Sequence, residues 1–117
     1  MRATLFLLLS FPSVVFAHEC ENWEYAVFYL TYDHDGDAHQ QWEHGGKKFN
    51  WLNGEVKQVR ENVVNDAKVS MWKHFELKRK VLHRIDNLDA IGNQGWELVT
   101  EKMSLENTST SYFKRCK

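Results

Sequence analysis

Hydrophobic and polar positions alternate over several short stretches of the chain, and this pattern predicts β-strands. Residues 23–32, WEYAVFYLTY, are rich in aromatic and β-branched residues and contain no glycine or proline, as is typical of a strand. Both faces of this stretch are largely apolar, so we expect a central strand with at least one covered face.

A hairpin is predicted at Asn53-Gly54, because both residues tolerate the positive φ that tight hairpin turns require. Short strands are expected on either side of this turn, at about 47–52 and 55–60. The polar residues 33–46 that precede them, DHDGDAHQQWEHGG, are predicted to form a loop that leaves the first strand.

A helix is predicted over about 76–92, where apolar residues fall near helical spacing with basic residues between them. Either Gly92 or Gly95 can adopt the left-handed conformation that ends a helix. Residues 63–75, before this helix, fit either a strand or an upstream extension of the helix.

The last two predicted strands, 96–104 and 111–116, are expected to pair as a hairpin across the turn-rich residues 106–111. Together these elements predict an α+β fold. Its small antiparallel sheet of about four to five strands would pack against one main helix at about 76–92.

The start of the chain has the layout of a secretory signal peptide. One basic residue, Arg2, precedes an apolar run, and small residues precede a cleavage point after Ala17. The apolar run is shorter than the roughly 20 residues that span a bilayer. We therefore predict a signal peptide at 1–17 and one small domain at 18–117, exported to the periplasm or secreted from the cell.

The charge of the predicted mature domain restricts its partners. Cleavage leaves 100 of the 117 residues and removes one basic residue, so the formal net charge moves from −1 to −2. Such a domain has no basic excess for nucleic acid or an anionic membrane. We therefore expect no nucleic-acid partner, and no membrane span after cleavage.

The two cysteines of the chain, Cys20 and Cys116, lie at opposite ends of the predicted mature domain. An exported protein meets oxidising conditions, so these residues are predicted to form a disulfide. Two free thiols are the alternative. A thiolate metal site has less support, because the sequence contains no C-x-x-C spacing.

Two parts of the chain resemble a known family. Residues 91–99, IGNQGWELV, and 112–115, YFKR, together with the aromatic opening strand, resemble the domain-of-unknown-function family numbered 4177. Chains of that family have a helix ending in Leu-Gly-x-x-Gly-Trp-Glu-Leu-Val, where this chain has isoleucine first, and close with a Tyr/Phe-Lys-Arg strand. The resemblance covers about 23–32 and 82–116, and residues 33–75 are an insertion relative to it.

The resemblance implies a small domain of one sheet and one helix, and it implies no activity, because none is assigned to the family. It also implies structural roles for Gly92, Gly95 and Trp96 at the end of the helix. Gly95 would turn the chain and Trp96 would close the core between helix and sheet. If the first and last strands are antiparallel neighbours, Cys20 and Cys116 come together.

The most specific functional hypothesis concerns the acidic, histidine-bearing loop after the first strand. Its candidate ligands for a divalent metal ion are Asp33, Asp35, Asp37, His39 and His44. Alternating aspartates are typical of calcium loops, but the glycine and glutamate that an EF-hand loop needs are absent here. The histidines are five residues apart, unlike the pair of a helical zinc site. We favour the alternative of a solvated loop made of ordinary turn residues.

Three tryptophans of the insertion, Trp42, Trp51 and Trp72, either pack in the core or line a partner surface, such as one between copies of the chain. The sequence has no serine-centred elbow and no phosphate loop. We therefore predict an exported, non-catalytic binding or assembly module. The alternative is a periplasmic metal-binding protein that uses residues 33–44.

Overall fold

The structure, a computed structural model, describes residues 20–77, 84–104 and 107–117. Its strands are β1 (Trp23–Tyr32), β2 (Ala38–His44), β3 (Lys47–Leu52), β4 (Glu55–Val56), β5 (Glu97–Met103) and β6 (Thr108–Cys116). Its helices are α1 (Met71–His74) and α2 (Arg84–Gly92). The predicted signal peptide at 1–17 lies outside the described residues.

The six strands form one sheet in the order β4-β3-β2-β1-β6-β5, and every neighbouring pair is antiparallel. β1 and β6 pair over their full lengths, with Trp23 opposite Cys116 and Thr31 opposite Thr108. β1 also pairs with β2 on its other side. The predicted strand at 23–32 is therefore confirmed, and it is an interior strand of the sheet.

The predicted α+β fold, with a sheet packed against one main helix at about 76–92, is wrong. The sheet has six strands rather than four to five, and the two helices have only 4 and 9 residues. The fold is mainly β, because the described strands contain 41 residues and the described helices only 13. Residues 78–83 of the predicted helix lie outside the described part of the chain.

The predicted loop at 33–46 contains the strand β2, which the pattern of polar residues did not indicate. Only residues 33–37 form the turn after β1, in which the Gly36 N–H donates to the Asp33 carbonyl oxygen at 3.0 Å. Alternate residues of β2 are then buried, namely Ala38, Gln40 and Trp42. A glutamine at a core position and polar residues on the other side made this strand resemble a loop.

The two predicted hairpins are present, with different bounds. Asn53 and Gly54 have φ values of 51° and 83° and join β3 to β4, but β4 has two residues instead of the expected six. β5 pairs with β6, and β6 begins at Thr108, inside the predicted connection. Residues 63–75, which fitted either a strand or a helix, hold only the short helix α1.

One face of the sheet carries the core. Its buried apolar side chains form a single cluster of Ala26, Phe28, Leu30, Ala38, Trp42, Trp51, Ala67, Met71, Phe75, Ile91, Trp96 and Phe113. The ring centroid of Trp42 lies 5.2 Å from that of Phe75, 5.3 Å from Trp96 and 5.9 Å from Phe113. Both helices contribute to this cluster, so both pack on the same side. We call the opposite side the open face.

The predicted disulfide between Cys20 and Cys116 is confirmed, with Cα atoms 5.8 Å apart. Its formation follows from the pairing of β1 with β6, which places the two chain ends side by side. The bridge closes a loop of 96 residues in sequence separation, so it encloses nearly all of the described chain.

Gly92 is the last residue of α2, and Gly95, beyond the helix, has the left-handed conformation, with φ of +90°. A Cβ atom at this position would lie 3.4 Å from the Arg115 side chain, whereas a Cβ at Gly92 would meet no atom within 4 Å. Trp96 then follows as a buried core residue. The motif therefore turns the chain from α2 into β5.

Replacing Gly95 by alanine is expected to lower the free energy of unfolding by about 1–2 kcal/mol, because an L-residue is strained at this φ. Gly92→Ala is the matched control, and we expect it to be neutral or to stabilise by up to about 1 kcal/mol. Urea denaturation of both variants measures the difference. Equal losses for the two variants would contradict a special role of Gly95.

Candidate functional site

The strand register gives the composition of the open face, because residues directly opposite across antiparallel strands share a face. The interior strands β1 and β6 place five aromatic and apolar residues there, Trp23, Tyr25, Val27, Tyr29 and Tyr112, together with Thr31, Thr108, Thr110 and Lys114. The flanking strands place polar and charged residues there: Gln41, Glu43, Lys48, Asn50, Thr100 and Lys102. The open face therefore has an aromatic centre and a polar rim.

Three tyrosines dominate this centre, and we call Tyr25, Tyr29 and Tyr112 the tyrosine patch. Tyr25 is 65% exposed, whereas the other two are half-buried. Burial raises the pKa of the Tyr29 phenol, and the nearby Glu43 and Tyr112 raise it further. The hydroxyl therefore stays protonated at neutral pH, where it can both donate and accept hydrogen bonds.

A cleft runs along the open face beside the tyrosine patch. One part of it has a volume of about 300 Å³ and is lined by Tyr25, Glu43 and the β2–β3 turn. A second part, of about 570 Å³, is lined by Gln41, Asn50 and the segment 62–66. The two depressions adjoin at Gly46 and Lys48, which line both of them, and together we call them the β2–β3 cleft.

Side chains of the segment 62–66 form the outer wall of this cleft, and they make hydrogen bonds to the β3 backbone of the kind that a neighbouring strand would make. Asn65 Oδ1 accepts from the Asn50 N–H at 2.8 Å, and Asn65 Nδ2 donates to the Asn50 carbonyl oxygen at 3.0 Å. Asp66 Oδ2 accepts from the Lys48 N–H at 2.8 Å, and the Asp66 N–H donates to the Lys48 carbonyl oxygen. These bonds fix segment 62–66 beside β3, past the end of the short β4.

The floor of the cleft carries interacting donors and acceptors. Gln41 Nε2 donates to Glu43 Oε1 at 3.0 Å, and Lys48 Nζ lies 3.8 Å from the same oxygen. An amide, a carboxylate and an ammonium group therefore meet on two neighbouring strands. Such a floor can offer hydrogen bonds of both kinds to a polar ligand.

Four of the five candidate metal ligands lie in or beside the turn after β1. Asp33 Oδ1 accepts from the N–H groups of Asp35 and Asp37, each at 3.0 Å, and Asp33 Oδ2 lies 2.9 Å from His39 Nε2. The bond to His39 and the backbone bonds lower the pKa of the Asp33 carboxyl. Lys57 Nζ lies 3.1 Å from His39 Nδ1, so both ring nitrogens of this histidine have partners.

The fifth candidate, His44, belongs to a different cluster. Its Nε2 lies 2.7 Å from Glu24 Oε1, and Arg115 Nε donates to Glu24 Oε2 at 3.0 Å. His44 and then Arg115 lower the pKa of the Glu24 carboxyl. The Arg115 guanidinium also lies 4.2 Å above the Trp96 ring. Five strand residues, roughly 17 Å, separate His44 from His39 along β2.

The structure therefore brings Asp33 and His39 together and places His44 apart from them. Across residues 20–77, 84–104 and 107–117, no group of three or more His, Cys, Asp or Glu side chains could hold a metal ion. Sequence reasoning missed the Glu24–His44–Arg115 cluster, because its members come from three different strands. One signal for the strand that floors the cleft was available in residues 38–44. There the apolar residues Ala38 and Trp42 lie four positions apart, as they do on one face of a strand.

The three tryptophans of the insertion do not form a shared surface. Trp42 and Trp51 are 2% and 0% exposed and lie in the core, and Trp51 Nε1 donates to the Val69 carbonyl oxygen at 2.9 Å. Trp72, in α1, is half-buried. A partner surface made of all three is therefore wrong, because β2 and β3 direct Trp42 and Trp51 towards the helices.

No helix within the described part of the chain is long and apolar enough to cross a membrane. Comparisons with known protein families, with curated proteins and with solved structures find no match to this chain. The resemblance to the domain-of-unknown-function family stays a prediction, carried by residues 91–99 and 112–115.

Proposed function

We propose that this chain is an exported, non-catalytic binding module whose ligand surface is the open face of the sheet. One observation carries the proposal, which is that the tyrosine patch, with Tyr25 65% exposed, lies on the side of two interior strands where no described helix packs. Tyrosine is enriched in binding surfaces, since it combines a large apolar ring with a hydrogen-bonding group. An aromatic centre within a polar rim is the usual anatomy of such surfaces.

Two further features support the proposal. The disulfide between Cys20 and Cys116 fits export, since such bonds persist in oxidising compartments. Both carboxylate–histidine pairs are engaged within the fold, His39 between Asp33 and Lys57, and Glu24 between its histidine and Arg115. These pairs serve to hold strands together, which favours binding over catalysis.

Site-specific cross-linking tests the proposal. Tyr25 is replaced by the photoreactive residue p-benzoylphenylalanine, an aromatic substitution at an exposed site. The benzophenone inserts into C–H bonds of proteins and sugars alike, so the test does not presuppose the ligand. The protein is irradiated in the cells that export it, and its adducts are analysed by mass spectrometry.

The matched control carries the same photoreactive residue at Asn93, in the exposed turn after α2. We expect a discrete adduct from position 25 and none from position 93. Equal adducts from the two positions, or no adduct from position 25, would overturn the open face as the ligand surface.

A further inference from the structure

The β2–β3 cleft has the chemistry of a site for a neutral glycan chain, and we propose that its ligand is an extended, β-linked oligosaccharide or polysaccharide. This inference rests on the proposed function and names the class of ligand. The supporting observations are the polar groups of the cleft, its charge balance, its shape and the tyrosine at its end.

The polar groups suit sugar hydroxyls. Hydroxyl groups both donate and accept, so their partners in a binding site are side chains that offer both. The amides of Gln41, Asn50 and Asn62 line the cleft and each carry two donors and an acceptor oxygen. Glu43 adds acceptors and Lys48 adds donors on the same floor.

The charge of the cleft argues against a strongly charged ligand. Two lysines, Lys47 and Lys48, line the cleft and are balanced by two carboxylates, Glu43 and Asp66. A polyanion such as a nucleic acid needs a cationic excess that this surface does not provide. A neutral polar ligand needs no such excess.

The shape of the cleft favours a chain over a compact molecule. Small-molecule sites enclose most of their ligand, whereas both parts of this cleft are open to solvent. Tyr25 stands at its end, and Tyr29 lies opposite Gln41 on the next strand. The two tyrosines are four strand residues apart, roughly 13 Å, so one extended glycan chain can contact both of them through rings that are not adjacent.

The tyrosine rings offer apolar contacts to a sugar, in addition to the hydrogen bonds of the cleft. A β-linked pyranose ring presents an apolar surface of C–H groups on each side and hydroxyls around its edge. Tyr25, which is largely exposed, can cover such a C–H surface with its own ring. The amides of the floor then lie beside the edge hydroxyls.

Calorimetric titration of the oxidised protein tests the inference. The probes are cellohexaose and chitohexaose, which are neutral β-linked chains, and maltohexaose, an α-linked chain of equal length. We expect saturable binding of a β-linked probe and at least about tenfold weaker binding after Gln41→Ala, the effect of losing one well-placed hydrogen bond. The matched control is Gln58→Ala, an exposed glutamine outside the cleft lining, with affinity unchanged.

Each other result overturns the inference. Equal affinity of wild type and Gln41→Ala would place the sugar elsewhere, and binding of maltohexaose alone would contradict a β-linked ligand. Absence of binding by all probes, together with a protein adduct at position 25 in the cross-linking test, would make the ligand a protein and leave the proposed function standing. Absence of both binding and adducts would overturn the two proposals together.

Discussion

Replacing both Cys20 and Cys116 by serine is expected to lower the free energy of unfolding by about 4–5 kcal/mol. The reason lies in the unfolded chain, because the bridge joins residues 96 positions apart and a loop of about that length loses this much conformational entropy in the chain-entropy model. The total free energy of unfolding of a small domain is roughly 5–15 kcal/mol. The variant should therefore be close to unfolding at physiological temperature.

Urea denaturation of the serine variant and of the oxidised wild type measures this loss. The control is the wild-type protein in reductant, which breaks the same bond without changing the sequence and should lose a similar free energy. A loss below about 1 kcal/mol in both samples would contradict the expectation. It would mean that the unfolded chain already keeps its two ends together.

Replacing Trp42 by alanine is expected to lower the free energy of unfolding by about 3–5 kcal/mol, as for other buried tryptophans. Its ring lies between those of Phe75, Trp96 and Phe113, so truncation leaves a cavity at the junction of the sheet and both helices. Such aromatic pairs add to the loss beyond the area that they bury. The same denaturation experiment measures the change.

The matched control for this substitution is Trp72→Ala in α1, where the tryptophan is half-buried. We expect it to lose less than half as much free energy, because less apolar surface returns to water. Equal effects of the two substitutions would contradict the central position of Trp42 in the core.

Much of the sheet could be predicted from local sequence. Residues 23–32 consist of strand-forming side chains, and Asn53-Gly54 can hardly adopt anything except a hairpin turn. The two cysteines predicted the bridge because an exported chain with two such residues tends to pair them. The strand and the turn are determined by their own residues, whereas the bridge also requires the pairing of β1 with β6.

The rest depended on partners that sequence does not reveal. β2 carries a glutamine at a core position, where Gln40 Oε1 accepts from the Gly54 N–H at 3.0 Å, so its tertiary partner overrides its polarity. The helical spacing of apolar residues before Gly92 predicted a long helix. Most of the buried residues of the core cluster come from strands instead. The β2–β3 cleft depends on hydrogen bonds from Asn65 and Asp66 to β3 residues that lie 15 to 18 positions away in the sequence.

The pairing of β1 with β6 has a consequence for when this protein can fold. These interior strands are the first and last of the described chain, so the middle of the sheet is incomplete until the final nine-residue strand is available. Native contacts of such high sequence separation make folding slow, because a long loop must close before any of them form. A chain that grows on the ribosome therefore cannot complete the centre of this sheet before β6 has been synthesised, so its central strand pairing forms late.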